Sequence, residues 1–188
     1  MSYYQRNRPP LPHKRDIVAL DCEFIGIGRS RREGGSGQWS AVAKITIVNG
    51  YKDIIYDRLV REPNVPDHLI DYRTHITGLE PGDLDRGVRF LKMRRDVARI
   101  IEDKIVVGHA IKHDFDALNL GHPEHLIRDT ARYFQQFTRD GQKPRLKDLS
   151  WVHLHKSIQE YEHDSAEDAL AALSLYLKFQ QSWENDLA

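Results

Sequence analysis

Asp16–Phe24, DIVALDCEF, is the segment from which the fold is most readily inferred. Up to Leu20 it is apolar on both faces, which is typical of a strand in the middle of a sheet. Asp21 and Glu23 follow two positions apart, and because strand side chains alternate, both carboxylates point to one face. Neighbouring carboxylates on such a strand repel each other and lose hydration. Either the strand ends at Leu20 and both acids are solvated, or bound cations hold them there.

The remaining pattern places further strands and helices around this one. A glycine-rich, basic loop is expected over 25–40, and the dipeptide Asn49-Gly50 predicts a tight turn between two strands. The segment 66–84 reads as irregular with short helical pieces. The other predicted elements are strands at 41–48, 53–60, 104–107 and 126–131, and helices at 87–103, 114–120, 146–155 and 166–184.

Three antiparallel strands followed by alternating helices and strands predict an α/β fold. The economical arrangement is a mixed five-stranded sheet with helices on both faces, which is the ribonuclease-H-like layout. We expect one domain over 16–186, preceded by a flexible basic tail over 1–15.

Composition excludes several classes of protein. The 188 residues include 28 Lys and Arg against 28 Asp and Glu, so the net charge of zero argues against a strongly basic nucleic-acid coat. The single cysteine, Cys22, excludes an intramolecular disulfide and favours a reducing compartment. The N-terminus has no apolar leader, and the longest uncharged apolar stretch, 169–177, is far shorter than the roughly 18 residues of a membrane span.

Three later side chains also stand out. Asp114 follows a buried-looking strand, Asp168 lies on the edge of the apolar side of the last helix, and His163 comes just before that helix. Each has an ordinary explanation: an N-cap for Asp114, a first-turn acid for Asp168 and an exposed loop residue for His163. Strand ends and helix starts converge on one side of this fold class, so we expect these residues to meet the two acids of the first strand.

Four converging carboxylates carry a charge of about −4, which two divalent cations neutralise. Ligand sets made only of oxygen suit Mg²⁺ or Mn²⁺. Two such ions held close together form the clamp used for in-line displacement at a phosphodiester.

The same residues lie in three ordered motifs that resemble those of the DEDDh 3′→5′ exonucleases, in the branch of RNA exonuclease 4, the interferon-stimulated exonuclease and the apoptosis-enhancing nuclease. The motifs are ALDCEF at 19–24, VGHA at 107–110 followed by Asp114, and HDSAED at 163–168. The resemblance covers 17–183, and further echoes of the branch are Tyr72-Arg73-Thr74, His122-Pro123 and Ile127-Arg128-Asp129-Thr130.

The resemblance implies a role for each residue. His163 would be the general base on an attacking water, in a reaction that releases nucleoside 5′-monophosphates from the 3′ end of single-stranded RNA or DNA. It also implies an intracellular protein, nuclear or nucleolar rather than cytoplasmic. The ligands of two Mg²⁺ or Mn²⁺ ions would be Asp21, Glu23, Asp114 and Asp168.

Candidate substrate-binding residues come from two sources. The resemblance places Phe24 and Arg73 beside the terminal nucleotide and His109 in the second motif. It also marks two departures, since the branch usually has Met where this chain has Phe24 and Asn where it has His113, which leaves RNA or DNA preference open. The basic, aromatic-rich segments after the first strand and over 128–147 add Arg29 and Arg145 as candidate phosphate contacts.

Two other functions compete with this hypothesis. One is a catalytically silent, nuclease-like module that binds RNA or a protein partner, which a metal titration would distinguish. The other is an iron oxygenase with a site of two histidines and one carboxylate, for which His153 and His155 are candidates. We expect a monomer without a disulfide-linked or membrane partner.

Overall fold

A computed structural model describes residues 10–28, 39–61 and 65–187. It contains a sheet of seven strands: β1 (Ile17–Ile27), β2 (Trp39–Asn49), β3 (Ile54–Arg61), β4 (Ile70–Asp71), β5 (Val88–Arg89), β6 (Ile105–Gly108) and β7 (Ile127–Asp129). The α-helices are α1 (Thr74–Thr77), α2 (Phe90–Ile101), α3 (Lys112–Leu118), α4 (Thr130–Gln135), α5 (Leu146–Leu149) and α6 (Ser165–Leu187).

The strand order is β5-β3-β2-β1-β6-β7, with β4 paired to the end of β1. β1, β2 and β3 form an antiparallel meander, and β6 and β7 continue the sheet in parallel to β1. This is the predicted mixed α/β sheet, and the five predicted strands are all present. The two additional strands are two residues long, which is too short for an alternating pattern to reveal them.

Both faces of the sheet are covered, as predicted. Ile17 and Ala19 of β1 pack in one cluster with residues of α4, α5 and α6. Val18 and Leu20 pack in a second cluster with residues of α2 and α3. The alternation of β1 therefore sorts its side chains between two helical layers.

Several predicted boundaries are wrong. The expected loop over 25–40 is too long at both ends, because β1 continues to Ile27 and β2 begins at Trp39. The strand predicted at 126–131 ends at Asp129, whose side chain accepts a hydrogen bond from the Ala131 N–H and caps α4. The helix predicted at 146–155 is α-helical only to Leu149 and continues as a π-helical turn over Ser150–Leu154.

Part of the predicted tail, 1–9, lies outside the described residues. Residues 10–15 contact the domain: the Gln180 side chain donates to the Pro12 carbonyl at 3.1 Å, and the Lys104 ammonium donates to the Arg15 carbonyl at 3.1 Å. In the part of the chain that the structure describes, no helix is both long enough and apolar enough to cross a membrane.

A buried ion pair ties β7 to the far end of α6. The guanidinium of Arg128 donates to both carboxylate oxygens of Glu184 at 2.8 Å, and only 6% and 11% of the two side chains are exposed. Tyr176 also donates to this carboxylate, at 2.7 Å. Loss of one partner would leave the other charge buried without compensation.

We expect Glu184→Ala to lower the free energy of unfolding by about 3 kcal/mol, because Arg128 would stay buried with only carbonyl acceptors. The matched control is Glu124→Ala, which removes the exposed pair with Arg132 and should cost less than about 1 kcal/mol. Urea denaturation measures both values. If both variants lost the same free energy of unfolding, burial would not be what makes the pair of Arg128 and Glu184 stabilising.

Candidate active site

β1 carries its two acids inside the sheet. Asp21 is paired with Thr46 and Glu23 with Lys44 in the β1–β2 register, so the strand does not end at Leu20. Asp21 is half-buried and Glu23 is only 5% exposed. Full solvation of both acids is therefore excluded.

Two helices bring the other acids to the same place. Asp168 lies in the first turn of α6 and is 4% exposed, and the carboxylate oxygens of Asp21, Glu23 and Asp168 can lie within 4.8 Å of one another. Asp114 is the third residue of α3 and is 5% exposed, so it is not the helix N-cap. It lies outside the 4.8 Å group but is close enough for its charge to act on Asp21.

Burial, together with nearby negative charges, raises the pKa of all four acids. Burial, followed by the charges of Asp114 and Asp168, raises the pKa of Asp21 well above its usual range. Burial and the charge of Asp168 raise the pKa of Glu23 to about 7, although nearby Lys44 opposes this. Burial likewise raises the pKa of Asp114 to about 7 and that of Asp168 to about 6. The fold thus concentrates negative charge where it is poorly solvated.

Three carboxylate oxygens in this cluster have no hydrogen-bond partner among the described residues. They are Glu23 Oε1, Asp114 Oδ1 and Asp168 Oδ1, and all three are buried. An unpaired buried carboxylate oxygen is costly unless a cation binds it. A set of hard oxygen donors with several unused lone pairs fits Mg²⁺ or Mn²⁺.

His163 lies at the edge of the cluster, on the loop that leads into α6. Its backbone N–H donates to the Ile76 carbonyl at 2.6 Å, and its Nδ1 is 3.8 Å from Asp168 Oδ2. The side chain is 41% exposed. Burial and the charge of Lys147 lower the pKa of His163, which keeps the ring neutral near pH 7 and able to accept a proton.

Two adjoining cavities open over the cluster. Their volumes are about 270 Å³ and about 470 Å³, and they share Asp21, Cys22, Phe24, Arg73 and His109. The smaller one also reaches Glu23, His163 and Asp168, whereas the larger one reaches Asp114. Three predicted substrate-binding residues, Phe24, Arg73 and His109, therefore line both cavities.

Phe24 reaches these cavities where the β1–β2 register shifts. Glu23 pairs with Lys44 but Phe24 pairs with Val42, so β2 has one extra residue there. Such a bulge changes the direction of nearby side chains. Phe24 is half-buried and also packs against the core cluster on the α2 and α3 face, so it combines packing with exposure to the cavity.

Arg73 is held by its backbone and its side chain. Its φ of 50° is left-handed, its N–H donates to Asp71 Oδ1 at 3.1 Å, and its guanidinium donates to Ser40 Oγ at 3.3 Å. His109 Nδ1 lies 2.9 Å from Thr130 Oγ1. Ser40 also lines the larger cavity. No motif in the sequence indicated Ser40, and Thr130 appeared only in the branch motif Ile127-Arg128-Asp129-Thr130, without a role.

Arg145, His153 and His155 are not among the residues that line the two cavities. Arg145 is 70% exposed and pairs with Asp148 at 2.7 Å, and Arg29 lies outside the described residues. The ring of His153 stacks on the ring of Phe134, with the two ring centroids 5.0 Å apart. Within the described ranges, the group of three potential metal ligands, Asp21, Glu23 and Asp168, contains no histidine. It therefore does not match the two histidines and one carboxylate of an iron oxygenase.

Sequence reasoning missed Gln159. Its side-chain amide donates to Asp168 Oδ2 at 2.7 Å, and it lines the smaller cavity. Gln159 precedes Asp168 by nine residues on an irregular loop, where no helical or strand periodicity relates the two positions.

Known proteins are similar to this chain over most of its length. Residues 18–176 match the Exonuclease (RNase_T) family. RNA exonuclease 4 of Saccharomyces cerevisiae is 38% identical over 169 residues, which cover 89% of this chain and 55% of that protein. RNA exonuclease 4 of Homo sapiens is 37% identical over 170 residues, covering 89% of this chain and 38% of that protein.

A solved structure shows the same fold. The pseudoubiquitin hydrolase-RNA exonuclease module of Saccharomyces cerevisiae Pan2, in complex with AAGGAA RNA, superposes with a TM-score of 0.76 at 32% identity, covering 98% of this chain and 31% of that one.

The fold and the carboxylate cluster define a ribonuclease-H-like α/β domain with an acidic centre on its central strand. The chain belongs to the Exonuclease family, in the branch that contains RNA exonuclease 4. It spans between 38% and 62% of the length of three of these relatives, those of Homo sapiens, Saccharomyces cerevisiae and Candida glabrata.

Repulsion within the cluster predicts that Glu23→Gln stabilises the metal-free protein. At pH 8, above the raised pKa of Glu23, the substitution removes a buried charge, and the new amide can donate to a neighbouring carboxylate. We expect the free energy of unfolding, measured by urea denaturation with excess chelator, to rise by about 1–2 kcal/mol. The exposed control Glu124→Gln should change it by less than about 0.5 kcal/mol. A less stable Glu23→Gln variant would contradict the repulsion.

Proposed function

We propose that this chain is a metal-dependent 3′→5′ exonuclease that hydrolyses single-stranded RNA, with single-stranded DNA as a further substrate, to nucleoside 5′-monophosphates. The observation that carries the proposal is the group of buried carboxylates with three unpaired oxygens next to a half-exposed neutral histidine. The names of the relatives support RNA as the substrate.

The carboxylates would hold two Mg²⁺ or Mn²⁺ ions. Asp21, Glu23 and Asp168 can direct oxygens to a common point, and Asp114 adds a fourth carboxylate from the α3 side. Divalent cations bound there stabilise the charge that develops on the phosphate and lower the pKa of an attacking water. The chain contributes fixed oxygens and a low-dielectric setting.

His163 would remove the proton from the attacking water. Its ring borders the smaller cavity and is neutral near pH 7, and the separation of 3.8 Å from Asp168 is longer than a hydrogen bond. The neutral ring therefore keeps a nitrogen lone pair that is not used in a hydrogen bond with Asp168. Asp164, the next residue, accepts from the Ala166 N–H at 3.1 Å and from Lys44 at 3.0 Å, which fixes the loop at the start of α6.

A preference for the 3′ end of a nucleic-acid strand fits the shape of the site. The cavity of about 270 Å³ contains Phe24, Arg73 and Ile76 beside the acids, so a terminal base and ribose would be held against apolar and cationic groups. A ring can stack on a base, and a guanidinium can contact a ribose or a phosphate. The proposal also includes that the protein acts as a monomer in the nucleus or nucleolus.

The histidine is tested by His163→Ala, which should lower kcat by roughly 10² to 10⁴, the usual contribution of a general base. Mn²⁺ affinity, measured by electron paramagnetic resonance, and the KM for RNA should change little, because the variant keeps every carboxylate and the walls contributed by Phe24 and Arg73. His68→Ala is the matched control, since His68 is exposed and lines neither cavity. Undiminished turnover in His163→Ala would exclude this role.

Direction and metal dependence are tested on 5′-labelled single-stranded RNA. The label should remain on a ladder of products that shorten from the 3′ end, with nucleoside 5′-monophosphates released. Excess chelator should stop the reaction and added Mg²⁺ or Mn²⁺ should restore it. A 3′-terminal phosphate should block the reaction, because the carboxylates that line the cavity would repel its added negative charge. Cleavage of circular RNA would instead indicate an endonuclease.

A further inference from the structure

The side chain of Gln159 makes a hydrogen bond that joins the loop before α6 to the carboxylate of a buried acid of the cluster. Its Nε2 donates to Asp168 Oδ2 at 2.7 Å, whereas the other oxygen, Asp168 Oδ1, is buried and has no partner among the described residues. One oxygen of this carboxylate thus accepts a hydrogen bond from Gln159, and the other is free to bind a cation in the cluster. Rotation of the carboxylate would break the contact with Gln159.

The position of Gln159 is itself fixed by its surroundings. Its backbone is left-handed, with φ of 54°, and its N–H donates to Glu167 Oε2 at 3.2 Å. Lys156 pairs with the other oxygen of Glu167 at 3.3 Å, and the preceding residue, Ile158, is 4% exposed in the core. The amide is therefore presented to α6 from an anchored segment.

The chemistry of the donor also fits a place beside a cation site. A neutral amide donates a hydrogen bond without adding positive charge, whereas Lys or Arg would compete with a cation for the carboxylate. The same oxygen faces His163, whose Nδ1 is 3.8 Å away. Because Gln159 already donates a hydrogen bond to Asp168 Oδ2, the His163 ring does not have to donate one to that oxygen.

We infer that Gln159 is a positioning residue: its amide orients the Asp168 carboxylate so that Oδ1 faces the other acids. This inference rests on the proposed function, because it assumes that Asp168 is a metal ligand. Hydrogen-bond partners of metal ligands typically change metal affinity or activity by roughly 10- to 100-fold when they are removed.

The test uses Gln159→Leu, which keeps the approximate volume and removes the donor. The affinity of the full chain for Mn²⁺ alone, measured by electron paramagnetic resonance without RNA, should fall by roughly ten-fold or more. With saturating Mn²⁺, kcat should also fall, whereas the KM for RNA should stay within about two-fold, because Gln159 acts through Asp168.

A second variant guards against effects on the left-handed backbone. Gln159→Asn keeps an amide and is well tolerated at positive φ, but its amide lies about 1.5 Å nearer the backbone and cannot reach Asp168. It should show the same loss of Mn²⁺ affinity with an unchanged melting temperature. Gln181→Leu is the matched control, since Gln181 is exposed and donates to Asn185 rather than to an acid of the cluster.

The outcomes separate this inference from the proposed function. If the wild type binds Mn²⁺ and degrades RNA but Gln159→Leu and Gln159→Asn retain wild-type Mn²⁺ affinity and kcat, Gln159 does not position Asp168. A lower melting temperature with unchanged Mn²⁺ affinity would also overturn the inference, since Gln159 would then be structural. If the wild type itself neither binds Mn²⁺ nor cleaves RNA, the proposed function fails first.

Discussion

The organisation of the site follows from one constraint, which is that the fold holds several negatively charged carboxylates close together and away from water. Neighbouring like charges in a low-dielectric site oppose folding, and three oxygens of the cluster lack partners within the described ranges. The surrounding packing must therefore supply more stability than the cluster removes. β1 is hydrogen-bonded on both sides and covered on both faces, which makes it a suitable support for such a site.

The alternation of β1 explains how the acids are distributed. Ile17 and Ala19 face α6, and Asp21 and Glu23 continue the same series, so they meet Asp168 from the first turn of that helix. The other face carries Cys22 and then Phe24 towards α2 and α3. Asp114 approaches from this second layer, and hydrogen bonds from Cys22 oppose the effect of burial on the pKa of Asp114. Acids from the helical layers on both faces of the sheet thus meet at β1.

The loop before α6 adds the groups that make the cluster chemically useful. It places His163 beside Asp168 without a direct hydrogen bond and supplies the Gln159 amide to the same carboxylate. The start of α6 is fixed further by a buried hydrogen bond between Thr46 and Ser165 at 2.7 Å. The histidine, the amide and the acid are therefore oriented by one short segment that is tied to the sheet.

Apolar periodicity and acids in apolar settings can be recognised without coordinates. The order of the main strands and helices, the central position of β1 and the choice of the four acids and His163 could therefore all be predicted from the sequence. It misplaced the ends of β1, α3 and α5, because pairing in the sheet and tertiary packing extend or shorten elements beyond their local preference. Coordinates were needed to reveal the hydrogen bond from Gln159 to Asp168, the contact of Arg73 with Ser40 and the register shift beside Phe24. These residues lie in different strands, helices and loops, so no helical or strand period relates their positions in the sequence.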